Sequence, residues 1–166
     1  MKKSESIKVV TGLVRFTNVH VFKPHSVIGN EKYSITLLIA KSEKETIVGI
    51  QRGYSTLKEL NPNLLKTPML ELRGLRDGDV EKDDEVYKGC YFLNAASLER
   101  PGLVDVDLNP LIDMGDIYDG CYGRASVTLY CYQIEGKAGI AVGLNNLQKL
   151  KDGEKIVAND SQSDFT

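Results

Sequence analysis

A run of eleven residues with strict two-residue periodicity, 122–132 (YGRASVTLYCY), constrains the fold more than any other part of this sequence. The side chains of a β-strand alternate between its two faces. One face of this strand is apolar, with Ala125, Val127, Leu129 and Cys131, and is typical of a strand that covers a hydrophobic core. The other face carries three tyrosines, an arginine and two hydroxyls, in the order Tyr122, Arg124, Ser126, Thr128, Tyr130 and Tyr132. The run therefore predicts a long strand, 122–134, with an aromatic outer face.

Most of the remaining sequence also has the pattern of strands. β-Branched and alternating residues predict strands over 7–17, with a bend at Gly12, and over 32–40, 69–75, 87–95, 103–106 and 137–144. Residues 23–31, with Pro24 and Gly29-Asn30, predict a loop, and Glu135-Gly136 predicts a turn between the last two strands.

One segment has helical periodicity. Ser42 and Glu45 have the spacing of a capping box, and the helix is expected to stop at Asn61-Pro62. Its apolar residues recur every three or four positions, at Ile47, Ile50, Tyr54, Leu57 and Leu60.

Several short strands and one helix predict a mostly β fold, an OB-like small β-barrel with one inserted amphipathic helix. A domain over residues 1–155 is expected to be followed by a flexible acidic C-terminal tail, 156–166. In a chain of 166 residues this is a single domain of ordinary size.

The net charge of -2 hides an uneven distribution. Residues 77–85 hold six acidic side chains and one lysine, and 156–166 hold Asp160 and Asp164 and no base. Without these two segments the chain has 20 basic against 15 acidic residues. The acidic segments are interpreted either as a solvated loop and tail, or as competitors of nucleic acid for a basic groove.

Catalytic and metal chemistry finds little support in the sequence. Three cysteines, Cys90, Cys121 and Cys131, lack the spacing of a zinc site or a disulfide framework, so we expect no cofactor and no metal. A Mg²⁺-dependent nuclease that uses the aspartates between Asp105 and Asp119 is the main catalytic alternative, although turn roles for these residues are simpler. No apolar stretch is long enough to span a membrane, and we expect a cytoplasmic protein without catalytic residues.

The tyrosine face suits single-stranded nucleic acid, because bases stack on aromatic rings whatever their identity. Packing between strands, a subunit interface or stacking on sugars are the alternatives. The candidate nucleic-acid-binding residues are the tyrosines and arginine of the 122–132 face together with a tyrosine of another strand and five basic residues near strand ends: Tyr122, Arg124, Tyr130, Tyr132, Tyr91, Arg15, Lys32, Arg73, Arg76 and Arg100.

Five blocks of sequence carry a recognisable pattern: 75–79 (LRDGD), 87–95 (YKGCYFLNA), 100–105 (RPGLVD), 117–124 (IYDGCYGR) and 139–154 (GIAVGLNNLQKLKDGE). In their order and spacing they resemble a family of phage-encoded single-stranded-DNA-binding proteins with an OB fold. The resemblance implies a non-catalytic protein that coats single-stranded DNA during phage replication or recombination, in the cytoplasm of the bacterial host.

The C-terminal segment is similar to the acidic tails of many single-strand binders. Its Asp160, Asp164 and Phe165 imply docking of phage or host replication proteins, although Thr166 follows the phenylalanine. The tyrosine faces and exposed strand edges make a homodimer the expected assembly.

Overall fold

The computed structural model describes residues 6–27, 30–62, 75–134 and 137–157. These residues form eight strands, two α-helices and one 3-10 turn. In chain order they are β1 (Ile7–Val10), β2 (Val14–Val27), β3 (Asn30–Ala40), α1 (Lys44–Leu60), β4 (Arg76–Asp77), α2 (Gly78–Glu81), the 3-10 turn (Glu85–Tyr87), β5 (Cys90–Ser97), β6 (Gly102–Val104), β7 (Tyr122–Ile134) and β8 (Lys137–Lys151).

Five of the strands close into a ring in the order β2, β3, β5, β8, β7 and back to β2. β5 and β8 pair in parallel through Ala96 and Gly143, whereas the other pairs of the ring are antiparallel. β1 and β6 extend the sheet beside β7 and β8. A five-stranded, partly open barrel of this kind is an OB fold, as the sequence predicts.

The interior of the barrel is formed by the residues that alternation predicts. Ala125, Val127, Leu129 and Cys131 of β7 are all buried in the main hydrophobic cluster. The apolar face of α1 covers the same cluster with Ile47, Ile50, Tyr54 and Leu57. Leu60, which the periodicity also assigned to this face, is 53% exposed at the end of the helix.

The hairpin between β2 and β3 is longer than predicted. The prediction of a loop over 23–31 is wrong at both ends, because β2 continues to Val27 and β3 begins at Asn30. Pro24 is accommodated since the pairing is irregular there: Ser34 faces His20 and Lys32 faces His25, so the β2 strand has extra residues between them. The bend predicted at Gly12 is confirmed, and it divides the strand predicted over 7–17 between β1 and β2.

The start of α1 also differs from prediction. The prediction of a capping box formed by Ser42 and Glu45 is wrong, because the N-cap residue is Glu43 and its side chain accepts no hydrogen bond from a backbone N–H of the helix. A turn places Ser42 before the helix, where its carbonyl accepts a hydrogen bond from Lys44 N at 2.9 Å.

The acidic segment 77–85 is more ordered than a solvated loop. Asp77 caps the N-terminus of α2, and Asp84 caps the 3-10 turn. Lys41 Nζ forms ion pairs with Asp77 Oδ1 at 2.8 Å and with Asp79 Oδ2 at 2.7 Å. The prediction of a strand from residue 87 is wrong at its start, because Tyr87 belongs to the 3-10 turn and β5 begins at Cys90. Among the described residues no helix has the length and apolarity needed to cross a bilayer.

Several expectations lie outside the described residues or differ only at their ends. The strand predicted over 69–75 and the turn at 135–136 cannot be compared, except that Leu75 lies in a bend. β7 has the predicted bounds, and β8 continues beyond Leu144 to Lys151.

Candidate functional site

A cleft of about 480 Å³ lies where β3, β5, β7 and β8 come together on the outside of the barrel. One wall carries Tyr130 and Tyr132 of β7. The opposite wall is polar and comes from β2, β3 and β5, with Asn18, Lys32, Ser34, Thr36, Asn94 and Ser97. The cleft thus combines two half-buried aromatic rings with hydroxyl, amide and ammonium groups.

The tyrosine rings lie against small residues of β8. In the β7–β8 ladder Tyr132 faces Gly139 and Tyr130 faces Ala141. A Cβ atom at Gly139 would come 2.7 Å from the Tyr132 hydroxyl oxygen, so only glycine permits this close approach of the ring. Gly139, Ala141 and Gly143 alternate with buried residues on β8, and of these three only Ala141 lines the cleft, because the Tyr132 ring covers Gly139.

A chain of hydrogen bonds crosses the polar wall. Asn18 Nδ2 donates to Thr36 Oγ1 at 3.1 Å, and Thr36 Oγ1 donates to Asn94 Oδ1 at 2.7 Å. Asn18 Nδ2 also lies 3.3 Å from the hydroxyl oxygen of Tyr87. Burial raises the pKa of Tyr87, so its hydroxyl group remains protonated at neutral pH. The wall is therefore a preformed polar surface.

Three of the candidate nucleic-acid-binding residues are brought together in this cleft: Lys32, Tyr130 and Tyr132. Tyr122, at the other end of β7, is not part of it. Its ring contacts two cations, with Arg15 Cζ at 5.6 Å and Lys151 Nζ at 4.9 Å from its centroid. A barrel strand coils, and ten residues of strand span roughly 33 Å, so outward residues at its two ends face different directions.

The other candidates have partners elsewhere on the surface. Arg15 donates to the backbone carbonyls of Gly120 at 3.1 Å and Glu154 at 2.6 Å. Arg124 Nε donates to the Thr11 carbonyl at 3.0 Å, and Arg76 is paired with Glu81 at 2.8 Å.

Tyr91 and Arg100 take part in cation–π contacts outside the cleft. Lys41 Nζ lies 5.1 Å from the ring of Tyr91, and Arg100 Cζ lies 5.5 Å from the ring of Phe22. Arg73 and the tail residues Asp160, Asp164 and Phe165 lie outside the described residues. Tyr91 is on β5, which is separated from β7 by β8, so the two predicted aromatic strands are not neighbours.

Sequence reasoning missed the polar wall and the floor of the cleft. Nothing local distinguishes Asn18, Thr36 or Asn94, because they meet only when β2, β3 and β5 pair. The small residues against which the tyrosine rings lie did have a signal: Gly139, Ala141 and Gly143 occupy alternate positions of a predicted strand beside the tyrosine strand.

Three aspartates of the alternative nuclease interpretation, Asp105, Asp113 and Asp119, accept hydrogen bonds from backbone N–H groups. Asp105 Oδ1 accepts backbone hydrogen bonds from Asp107 and Asn109, both at 2.9 Å, as in a turn. Across the described ranges, no three His, Cys, Asp or Glu side chains converge on a possible metal position. Burial raises the pKa of Cys90 and of Cys121, which disfavours the reactive thiolate form.

An OB barrel whose second and third ring strands line a cleft belongs to the class of barrels that bind oligonucleotides or oligosaccharides on that face. In this chain those strands are β3 and β5.

Comparison with known proteins identifies the family. A family model described as the single-stranded-DNA-binding protein of Enterobacter phage Enc34 matches residues 7–166, and the chain belongs to this family. Protein p50 of Acyrthosiphon pisum secondary endosymbiont phage 1 is 30% identical over 89% of this chain and 85% of that protein.

Solved structures agree with the family assignment. The bacteriophage Enc34 single-stranded-DNA-binding protein in complex with single-stranded DNA is 25% identical, with a TM-score of 0.78 over 93% of this chain and 91% of that chain. The single-stranded-DNA-binding protein gp2.5 of bacteriophage T7 shares the fold at 12% identity, with a TM-score of 0.60 over 97% of this chain and 95% of that chain.

Proposed function

We propose that this protein binds single-stranded DNA, largely independently of sequence, in the cleft between β7 and the β3–β5 face. Membership of a phage single-stranded-DNA-binding family supports the ligand. Bases stack on the rings of Tyr130 and Tyr132, and the DNA backbone follows the open side of the cleft. The test is fluorescence anisotropy of a labelled 30-nucleotide oligo-dT against a matched duplex, where tight binding to the single strand alone is expected.

The observation that carries this proposal is that two outward tyrosine rings line a cleft in which Ala141, with its small methyl group, is the outward residue of β8. Gly139 lies beneath the Tyr132 ring, because a Cβ atom there would come 2.7 Å from the Tyr132 hydroxyl oxygen. Packing on β8 therefore accounts for one side of that ring, and the cleft borders both tyrosines. Stacking of one base on an aromatic ring contributes about 1 to 3 kcal/mol, and two rings are enough for useful affinity.

Filling the floor of the cleft should block binding without removing a tyrosine. Ala141 faces Tyr130 in the ladder, and its methyl group lines the cleft. We expect Ala141→Leu to weaken oligo-dT binding about tenfold or more, because the larger side chain occupies the position of a base. Ala141→Ser, which hardly changes the volume, is the matched control. Unchanged affinity of Ala141→Leu would place the DNA elsewhere.

Lys32 supplies phosphate contact. Of the described basic residues, it is the one that lines the cleft, and its side chain is exposed. We expect Lys32→Gln to weaken binding similarly for oligo-dT, oligo-dA and oligo-dC, and to reduce the slope of log K against log salt by about one. Lys44→Gln, which removes an exposed charge at the start of α1, should leave the slope unchanged. Equal slopes for the two variants would contradict the assignment.

We also propose that the protein is not catalytic and acts during phage DNA replication or recombination in the cytoplasm of the bacterial host. The turn role of Asp105, whose carboxylate accepts two backbone hydrogen bonds, supports the absence of catalysis in this proposal. A labelled strand should stay intact during the binding assay with Mg²⁺ or Mn²⁺, whereas cleavage would favour the nuclease alternative. The homodimer and the docking of replication proteins on the C-terminal tail stay predictions.

A further inference from the structure

We propose that Asn94, oriented by Asn18 and Thr36, hydrogen-bonds the edge of a nucleobase that stacks on Tyr130. The cleft then contacts the bases through their polar edges as well as their faces. This inference rests on the proposed binding of single-stranded DNA and adds residues that stacking and charge do not require.

The first argument is that the Asn94 amide is held in one orientation. Thr36 and Asn94 are direct partners in the β3–β5 ladder, and their side chains are hydrogen-bonded at 2.7 Å. Thr36 is only 4% exposed, and it accepts a second hydrogen bond from Asn18. Because the hydroxyl of Thr36 donates to Asn94 Oδ1, the side-chain nitrogen of Asn94 is directed away from Thr36.

The second argument is unused hydrogen-bonding capacity at the cleft. Within the part of the chain that the structure describes, Asn94 Nδ2 and Asn18 Oδ1 have no hydrogen-bond partner. An amide nitrogen offers two donors and an amide oxygen two acceptor positions. Both residues line the cleft, and Asn94 is exposed. The polar wall therefore offers a donor and an acceptor to a ligand, as the edge of a base requires.

The third argument is the separation of the polar wall from the tyrosines. Tyr130 is on β7 and Asn94 is on β5, with β8 between them. Two strand spacings of about 4.8 Å make this separation at least roughly 10 Å, and the described pairing of β5 with β8 is the single pair Ala96 with Gly143. Ala141 of β8 and Ala96 of β5 line the cleft here, and their small methyl groups leave it open. A base stacked on Tyr130 can lie over these alanines and present its edge to Asn94.

The backbone of Asn18 provides independent support. Its φ is 50°, which places a non-glycine residue in the left-handed region, within the irregular pairing that follows Thr17 in β2. Such conformations cost free energy and are concentrated at functional sites. Asparagine tolerates this region better than most residues, and here the conformation brings its amide to Thr36 and Tyr87.

The test compares oligo-dT with a strand of the same length made only of abasic sites, for wild type and Asn94→Ala, by anisotropy at low salt. The abasic strand keeps the phosphates and lacks the bases. We expect Asn94→Ala to weaken oligo-dT binding about threefold to tenfold, the effect of one lost hydrogen bond, and to leave abasic binding unchanged. Asn18→Gly, which keeps the left-handed backbone and removes the amide, should act in the same direction. Asn145→Ala is the matched control, because this asparagine bonds Ser126 and Thr128 and does not line the cleft.

The outcomes separate this inference from the proposed function. If wild type binds oligo-dT tightly and Asn94→Ala has no effect, or weakens both strands equally, the base contact is refuted while single-stranded-DNA binding stands. If wild type binds neither strand, both are refuted. Melting temperatures of the variants within a few degrees of wild type exclude misfolding as the cause of a loss, and Asn94→Leu, which keeps a similar size and zero charge but removes the donors, repeats the comparison if Asn94→Ala is unstable.

Discussion

Replacement of both Tyr130 and Tyr132 by alanine is expected to cost roughly 2 kcal/mol or more of binding free energy for oligo-dT, a loss of about 30-fold in affinity. Each ring provides a stacking surface worth about 1 to 3 kcal/mol per base, and the two rings form one wall of the same cleft. Fluorescence anisotropy at two salt concentrations measures the loss. Because stacking does not involve charge, the salt dependence should remain close to that of wild type.

Two sets of variants control this result. Tyr130→Phe with Tyr132→Phe retains the aromatic faces and should bind within about threefold of wild type. Tyr122→Ala removes a tyrosine from the same face of the same strand, but one that contacts Arg15 and Lys151 away from the cleft. Its affinity should also be nearly unchanged. If the Tyr130 and Tyr132 double alanine variant binds normally while Tyr122→Ala does not, the binding site is at the other end of β7.

The largest expected effect on stability comes from Phe16, at the position where the barrel closes. Phe16 is fully buried, and its backbone N–H donates to the carbonyl of Cys121 at 2.9 Å. The ladder between β2 and β7 consists of only two pairs, Val14 with Gly123 and Arg15 with Tyr122. A Cβ atom at Gly123 would lie 2.8 Å from the Phe16 ring, which shows how closely the ring packs beneath this strand.

Phe16→Ala should therefore lower the free energy of unfolding by about 3 to 5 kcal/mol, through lost burial and the cavity that remains. Chemical denaturation with equilibrium fluorescence or circular dichroism measures it. Phe22→Ala is the matched control: Phe22 lies on the same strand but is half-buried, and its loss should be less than half as large. A loss below about 1 kcal/mol for Phe16→Ala would mean that closure of the barrel does not depend on this ring.

Prediction of the fold from sequence succeeded where local periodicity and burial coincide. The inward face of β7 and four of the five apolar positions of α1 are buried as alternation and helical spacing require. Prediction failed where tertiary pairing outweighed a local signal. Pro24 and Gly29 favour a loop, yet β2 extends to Val27. The pairing between His20 and His25 is irregular, so the N–H group that Pro24 lacks is not needed for a regular ladder hydrogen bond. The capping box predicted at Ser42 does not form, because Ser42 belongs to the turn that links β3 to α1.

The sequence by itself determined that the chain forms a barrel with an aromatic strand, and its sequence blocks resembled the correct family. Only the tertiary structure decided which aromatic and basic residues share a site. Tyr122 and Tyr132 are equivalent in periodicity, but coiling of β7 separates them, and of the two only Tyr132 lines the cleft. Asn18, Thr36 and Asn94 come together because β2 and β5 pair on either side of β3. Alternation along a strand fixes which face a side chain is on, whereas its neighbours on that face depend on strand order, register and coil.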